Sequence, residues 1–334
     1  MLACFGAPAD TYRMMSYNAD LSRKGPGLLV RDLARFEDET LRATIELIAT
    51  LRPDVLALQD VDYDHDHVAL QLIQDRLSEL GHQMPYRFAR APNTGVDTGF
   101  DVDRDGKIDT ARDRQGYGLF AGQGGIALLS VHPVMHDDAD DYSALLWRDL
   151  PGAQLPAGYF ADDELSALRL HSVAAWRVPI ETPDGVLHVF TTQTSPPVFD
   201  GPENRNGLRN ADQIRFLRSL LPKDAHFVIM GGLNNDPFDG EGLKPQLHSL
   251  LSDPRLQDPE PLASIETVSD PNQAGPAEQD TVDWGRNIGS LRVDYVLPSA
   301  GLRVAASAVE RQQAAGQAVE MPAHKPVWVD IFWK

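Results

Sequence analysis

Two spacings of apolar residues alternate along this chain. Leu41, Ile45, Ile48 and Leu51 recur every three or four positions and predict a helix over 39–51, which Pro53 terminates. Residues 55–58 follow as an unbroken apolar run, the mark of a strand covered on both faces. The same couplet then returns: helical spacing over 68–80 with Gly81 as a stop, and a strand over 126–131. A short strand over 13–18 precedes the first helix. Runs over 173–178 and 186–191 flank Pro183-Asp184-Gly185, a hairpin signal. Later come a helix over 210–221, a strand over 227–230, and closing strands over 291–297 and 326–332. Between them, 82–123 is rich in Gly and Asp and too long to be an idle connection, while 259–278 has the polar composition of a surface loop. Strands with recurrent helices and no internal repeat place the chain in the α/β class.

Composition narrows the possibilities. The 334 residues are 42% hydrophobic and 24% charged, ample for a large core, and no apolar stretch is long enough to span a membrane. With 49 acidic and 30 basic residues the net charge is −19, which argues against a basic groove for nucleic acid but not against a nuclease that uses metal ions to offset phosphate. The single cysteine, Cys4, excludes an internal disulfide. Leu2-Ala3-Cys4 reads either as the remnant of a lipoprotein signal or as an ordinary frayed terminus; residues 1–12 are expected to be an extension to one domain over 13–334.

Seven short patches carry the candidate chemistry. They are Met15-Ser16-Tyr17-Asn18, Leu58-Gln59-Asp60, Gly124-Gly125-Ile126-Ala127, Thr191-Thr192-Gln193-Thr194, Gly231-Gly232-Leu233-Asn234, Arg292-Val293-Asp294-Tyr295 and Ala323-His324. In this order, and over most of the chain, they resemble the endonuclease/exonuclease/phosphatase superfamily, which includes type I deoxyribonuclease. The resemblance implies a four-layer α/β sandwich, two packed sheets flanked by helices, and metal-dependent phosphodiester hydrolysis at the strand ends. It also implies export to the periplasm or beyond, which an acidic surface suits.

Hydrolysis of this kind needs a cation to offset charge, a base for water and an acid for the leaving oxygen. By resemblance, Asn18 and Asp60 would hold Mg²⁺ or Mn²⁺, Asn234 keeps its place in the catalytic set, and His324 paired with Asp294 would be the base. Asp60 stands where relatives carry Glu, one methylene longer; on its own it reads equally as a residue that satisfies loop amides. Gln193 replaces a His, and an amide cannot transfer a proton at neutral pH. Gly232 and Ala323 replace two Asp. Loss of one acid or base typically costs about 10²–10⁴ in rate, so turnover is expected to be lost or severely reduced. Two compensations are open: a metal site rebuilt from Asp60, Asp62, Asp64 and Asp66, or a shifted register using Asp236, Asp239 or His226.

Two further constellations stand apart. Asp101, Asp103, Asp105, Lys107 and Asp109 fall at calcium-loop positions 1, 3, 5, 7 and 9, with Gly106 for the turn and Ile108 for packing. Arg112 occupies the place of the usual bidentate Glu, with Asp113 one position late. This predicts a structural Ca²⁺, or else an Asp-Gly turn with weak cation affinity. Arg205 and Arg209 lie just past the Gln193 strand, as phosphate forks or as helix-capping and ion-pairing residues. Three functions follow: a degenerate member that binds a phosphate ester or nucleotide without efficient turnover, an active phosphoesterase with a shifted site, or a calcium-stabilised extracellular binding protein. A monomer is expected.

Overall fold

A computed structural model describes residues 11–265, 273–285, 288–311 and 321–334. Cys4 and most of the expected N-terminal extension lie outside them. Among the described residues the strands are β1 Tyr12–Leu21, β2 Val55–Val61, β3 Tyr86–Phe88, β4 Gly125–Ser130, β5 Asp140–Asp141, β6 Ala174–Thr182, β7 Gly185–Gln193, β8 Phe227–Gly232, β9 Val282–Asp283, β10 Ser290–Leu291, β11 Asp294–Pro298, β12 Leu302–Val309 and β13 Val327–Trp333. The helices are α1 Leu28–Arg35, α2 Glu39–Leu51, α3 Val68–Glu79, α4 Asp162–Leu165, α5 Arg205–Leu220 and α6 Lys244–Leu251.

One sheet runs β12-β13-β1-β2-β4-β3 and the other β11-β8-β7-β6-β5, with β9 and β10 as a separate pair. Alternation along each strand builds the layers. Met14, Val55, Ala57 and Leu128 of the first sheet meet Trp176, Val228, Met230 and Val296 of the second in one buried cluster. Their neighbours along each strand face outward: Met15, Leu56, Leu58 and Leu129 pack on Leu41, Ile45 and Ile48 of α2 and Ile73 and Leu77 of α3. On the far side Phe190, Ile229, Tyr295 and Leu297 pack on Ile214 and Leu217 of α5 and Leu247 and Leu250 of α6. The fold is therefore the four-layer α/β sandwich that the resemblance implied. Each such side chain contributes about 1.5–3 kcal/mol by leaving water.

Two expected elements need correction. The 82–123 segment is not all loop, because Tyr86–Phe88 adds an edge strand to β4. The helix expected to begin at Asn210 begins at Arg205. Its first turn, Arg205-Asn206-Gly207-Leu208, is largely polar although partly buried, which hid that start from a search for apolar spacing.

Asn210, fully buried in α5, ties the loops that follow β7 and β8 together. Its Nδ2 donates to Thr194 Oγ1 (3.0 Å), Ser195 O (2.8 Å) and Leu233 O (2.8 Å), and its Oδ1 accepts from Asn235 Nδ2 (3.0 Å). Replacing it by Ala strands several buried partners at once. Asn210→Ala is expected to lower unfolding free energy by about 2–4 kcal/mol, read by urea denaturation.

Candidate active site

Strand ends from both sheets converge at one edge of the sandwich. In the second sheet, β7, β8 and β11 hold Gln193, Gly232 and Asp294 side by side, as register pairs Gln193↔Gly232 and Gly232↔Asp294. In the first, β1 and β2 run parallel with Asn18 opposite Gln59, and Asp60 follows at a bulge. The bulge puts Asp60 at φ +56, a left-handed backbone that turns its side chain out of the strand alternation.

The third patch now has a physical reason. A Cβ on Gly124 would lie 2.6 Å from Asp60 Oδ1, so only glycine lets that carboxylate settle there. Burial, with Asp20 and Asp62 nearby and only a Ser22 hydrogen bond opposing, pushes the Asp60 carboxyl up to about 6. No lysine or arginine is among the groups that shift it. Asn18 is buried, and no hydrogen bond among the described residues uses its side chain. A carboxylate without a lysine or arginine partner beside a spare amide is an oxygen-donor set of the kind hard divalent cations take, so these residues fit such a cation.

On the other side, His324 Nδ1 lies 2.7 Å from Asp294 Oδ2, and Thr281 Oγ1 donates to the same oxygen at 2.8 Å. Thr281 Oγ1 also accepts from the Asp294 amide, and the Lys325 amide donates to Thr281 O, so one threonine positions both partners. The Trp284 ring meets His324 edge-on at 5.6 Å. Burial works against the imidazolium, but the charge and hydrogen bond of Asp294, with help from Asp60, prevail and raise its pKa above 6.5. The influence of Asp60 places the carboxylate and the histidine in one electrostatic neighbourhood.

Gly231 and Gly232 differ sharply. Gly231 sits at φ +150 with Thr192 O where a Cβ would be, 1.9 Å away, and tolerates nothing larger. A Cβ on Gly232 would meet only Asp294 Oδ1 at 3.4 Å and Gln193 Cγ at 3.7 Å, ordinary contacts. A side chain would fit at 232, and this chain has none. Beside it Gln193 Oε1 and Asp294 Oδ1 are buried without hydrogen-bond partners. Asn234 closes the row, its Nδ2 donating to Thr194 O at 2.6 Å.

Most of the alternative carboxylates hold backbone amides. Asp62 accepts the amides of Arg23 and Gly124, and Asp64 those of Val68 and Ala69 at the start of α3. The extended run that would have aligned these carboxylates does not form, because β2 ends at Val61. Asp236 accepts from Phe238, Asp239 and Arg292 amides, and Asp239 from Ala274 and Gly275. His226 lies before Phe227 at the opposite end of β8 and packs on Trp333. Thr281, Trp284 and Asn210 escaped sequence reasoning, since nothing in their spacing marks them.

In the Asp-rich loop, carboxylate oxygens of Asp101, Asp103 and Asp105 gather within 4.8 Å of one another. The rest of the expected loop departs from the pattern. Asp109 turns to the carboxylate of Asp97, which raises its pKa. Asp113 is fully buried and gives both oxygens to Val102 and Thr110. Ile108, expected to pack, is 60% exposed. Arg205 pairs with Glu203 at 2.5 Å, while Arg209 donates to the Leu170 and Arg169 carbonyls.

A family model described as "Endonuclease/Exonuclease/phosphatase family" matches residues 15–316. The chain belongs to that family. Solved structures agree in fold. An endonuclease/exonuclease/phosphatase from Beutenbergia cavernae DSM 12333 is 18% identical at a TM-score of 0.59, covering 97% of this chain and 72% of that one. A family protein from Leptotrichia buccalis C-1013-b is 15% identical, TM-score 0.56, covering 96% and 100%. Sphingomyelinase C from Streptomyces griseocarneus is 17% identical, TM-score 0.54, covering 96% and 98%. No protein with a curated description matches in sequence. Among the described residues no helix is long and apolar enough to cross a membrane.

The pKa of His324 can be tested directly. Because its folded value is raised, the pair with Asp294 stabilises the fold fully below about pH 6.5 and that contribution is lost as pH rises through the folded value. NMR titration of His324 is expected to give a midpoint above 6.5, and Asp294→Asn to lower it, since burial is then opposed only by the more modest influence of Asp60.

Proposed function

We propose that this family member keeps a phosphate-ester cleft at the strand ends and turns substrate over poorly or not at all. The observation that carries this is the row Gln193–Gly232–Asp294: the dyad with His324 is in place, while the position beside it, roomy enough for a side chain, is bare. His324 Nε2 remains available to take a proton from water, and Asn18 and Asp60 would hold Mg²⁺ or Mn²⁺, which would offset phosphate charge. What is missing is a group to protonate the leaving oxygen and a carboxylate beside the attacking water. Gln193 can orient a phosphate oxygen but cannot deliver a proton. The hydrogen bonds that Asp62, Asp64, Asp236 and Asp239 accept from backbone amides favour this reading over a shifted site.

We also assign the Asp101–Asp103–Asp105 cluster to a structural Ca²⁺ that pins the insertion. The departures at Asp109 and Asp113 favour a weak site.

Restoring Asp60→Glu, Gln193→His, Gly232→Asp and Ala323→Asp together is expected to raise hydrolysis of bis(p-nitrophenyl) phosphate with Mg²⁺ or Mn²⁺ by at least about 10³-fold. Comparable, EDTA-sensitive turnover by the unaltered chain would overturn the reading. For the insertion, millimolar CaCl₂ is expected to raise the thermal midpoint by a few degrees over EDTA, and Asp103→Asn to abolish the increment. An unchanged midpoint would remove calcium from the account.

A further inference from the structure

Beside the end of β7 opens a cavity of about 470 Å³, walled by the Asp-rich insertion, the chain between 147 and 168, and the start of α5. In a protein with 49 acidic and 30 basic residues, its lining holds four arginines and no carboxylate. Arg112 and Arg114 approach Asp103 and Asp97 only at 3.8 and 3.9 Å. Arg205 has Glu203 on one nitrogen. Arg209 has no carboxylate partner among the described residues: its Nε and Nη2 go to backbone carbonyls at 3.0 and 2.5 Å. Burial, then the charge of Arg205, pushes its guanidinium down to about 10, still a cation at neutral pH. An enclosed cation without a counter-charge is costly unless an anion joins it.

Two further features point to a ligand. Ser172 Oγ and Ser195 Oγ, in residues 7% and 3% exposed, line the same cavity and have no hydrogen-bond partner. Tyr117 and Phe199, also in the lining, are 68% and 72% exposed, an unusual display of rings. Planar bases stack on such rings, and guanidinium forks match phosphate oxygens.

We propose that this cavity is a binding subsite for an organic phosphate with a planar aromatic body, of the nucleoside monophosphate class: phosphate against Arg205 and Arg209, aromatic body against Tyr117 and Phe199. Ser195 lies two residues beyond Gln193, a reach of at most about 7 Å, so the subsite adjoins the His324 centre. It binds without turnover and therefore stands independently of the hydrolytic reading.

The test is calorimetric titration of the full chain with AMP, adenosine and inorganic phosphate, in EDTA and low salt. AMP is expected to bind at least 10-fold tighter than adenosine. Arg209→Gln should weaken AMP at least 10-fold. Because that buried change could disturb folding, Tyr117→Ala serves beside it: its mostly exposed ring is removed without touching the core. It should weaken AMP several-fold and leave inorganic phosphate unchanged. His324→Ala should leave AMP binding as it was. The proposal is overturned if adenosine binds as tightly as AMP, if no AMP binding appears up to millimolar concentration, or if His324→Ala abolishes binding while Tyr117→Ala does not. The last result would put the anion in the His324 centre instead.

Discussion

Face-to-face packing of two sheets is the constraint from which the rest follows. The layer built from Met14, Ala57 and Leu128 on one side and Val228, Met230 and Val296 on the other locks the sheets together. A one-residue slip in any strand would turn its apolar side chains out of that layer. Register is therefore fixed, and with it the alignment of residues at the strand ends. Gln193, Gly232 and Asp294 share a row because β7, β8 and β11 have no other register that buries their cores. Asn18 and Asp60 arrive from the opposite sheet for the same reason.

That edge concentrates polar groups that the core could not tolerate. Among the described residues Asp60 has no lysine or arginine partner, Arg209 has no carboxylate, and Asp294 Oδ1 and Gln193 Oε1 are acceptors without donors. Buried groups of this kind are normally paired. Here they cluster where the strands end, while the acids just outside the centre, Asp62, Asp64 and Asp236, are each matched by backbone amides. The contrast separates residues that hold loops from residues whose polar atoms the described fold does not use.

Much of this was legible in the chain. Helical spacing at Leu41, Ile45 and Ile48 and the run before Asp60 located α2 and β2, because burial against a sheet imposes a period that survives in sequence. The ordered patches gave the family, and Asp294 with His324 was a pair that the structure brings to hydrogen-bonding distance. Where the reading failed, the cause was local and polar. The carboxylates at 62, 64 and 66 looked alternating, yet β2 stops at Val61, and an alternation argument has no force once the strand ends. The calcium-loop spacing placed Asp101, Asp103 and Asp105 together but not Asp109, whose backbone at φ +66 turns its carboxylate to Asp97.

By itself, then, the sequence determined the α/β class, through the alternating periods of its apolar residues, and the family, through seven patches in a fixed order. Those are properties of residue type and period, which each position carries alone. Tertiary structure decided which groups meet. Thr281 supports a dyad whose members lie 13 and 43 residues away, Asn210 joins two loops, and four arginines from the insertion and α5 surround one cavity. Such encounters depend on where distant segments pack, and no local spacing encodes a distance across the fold.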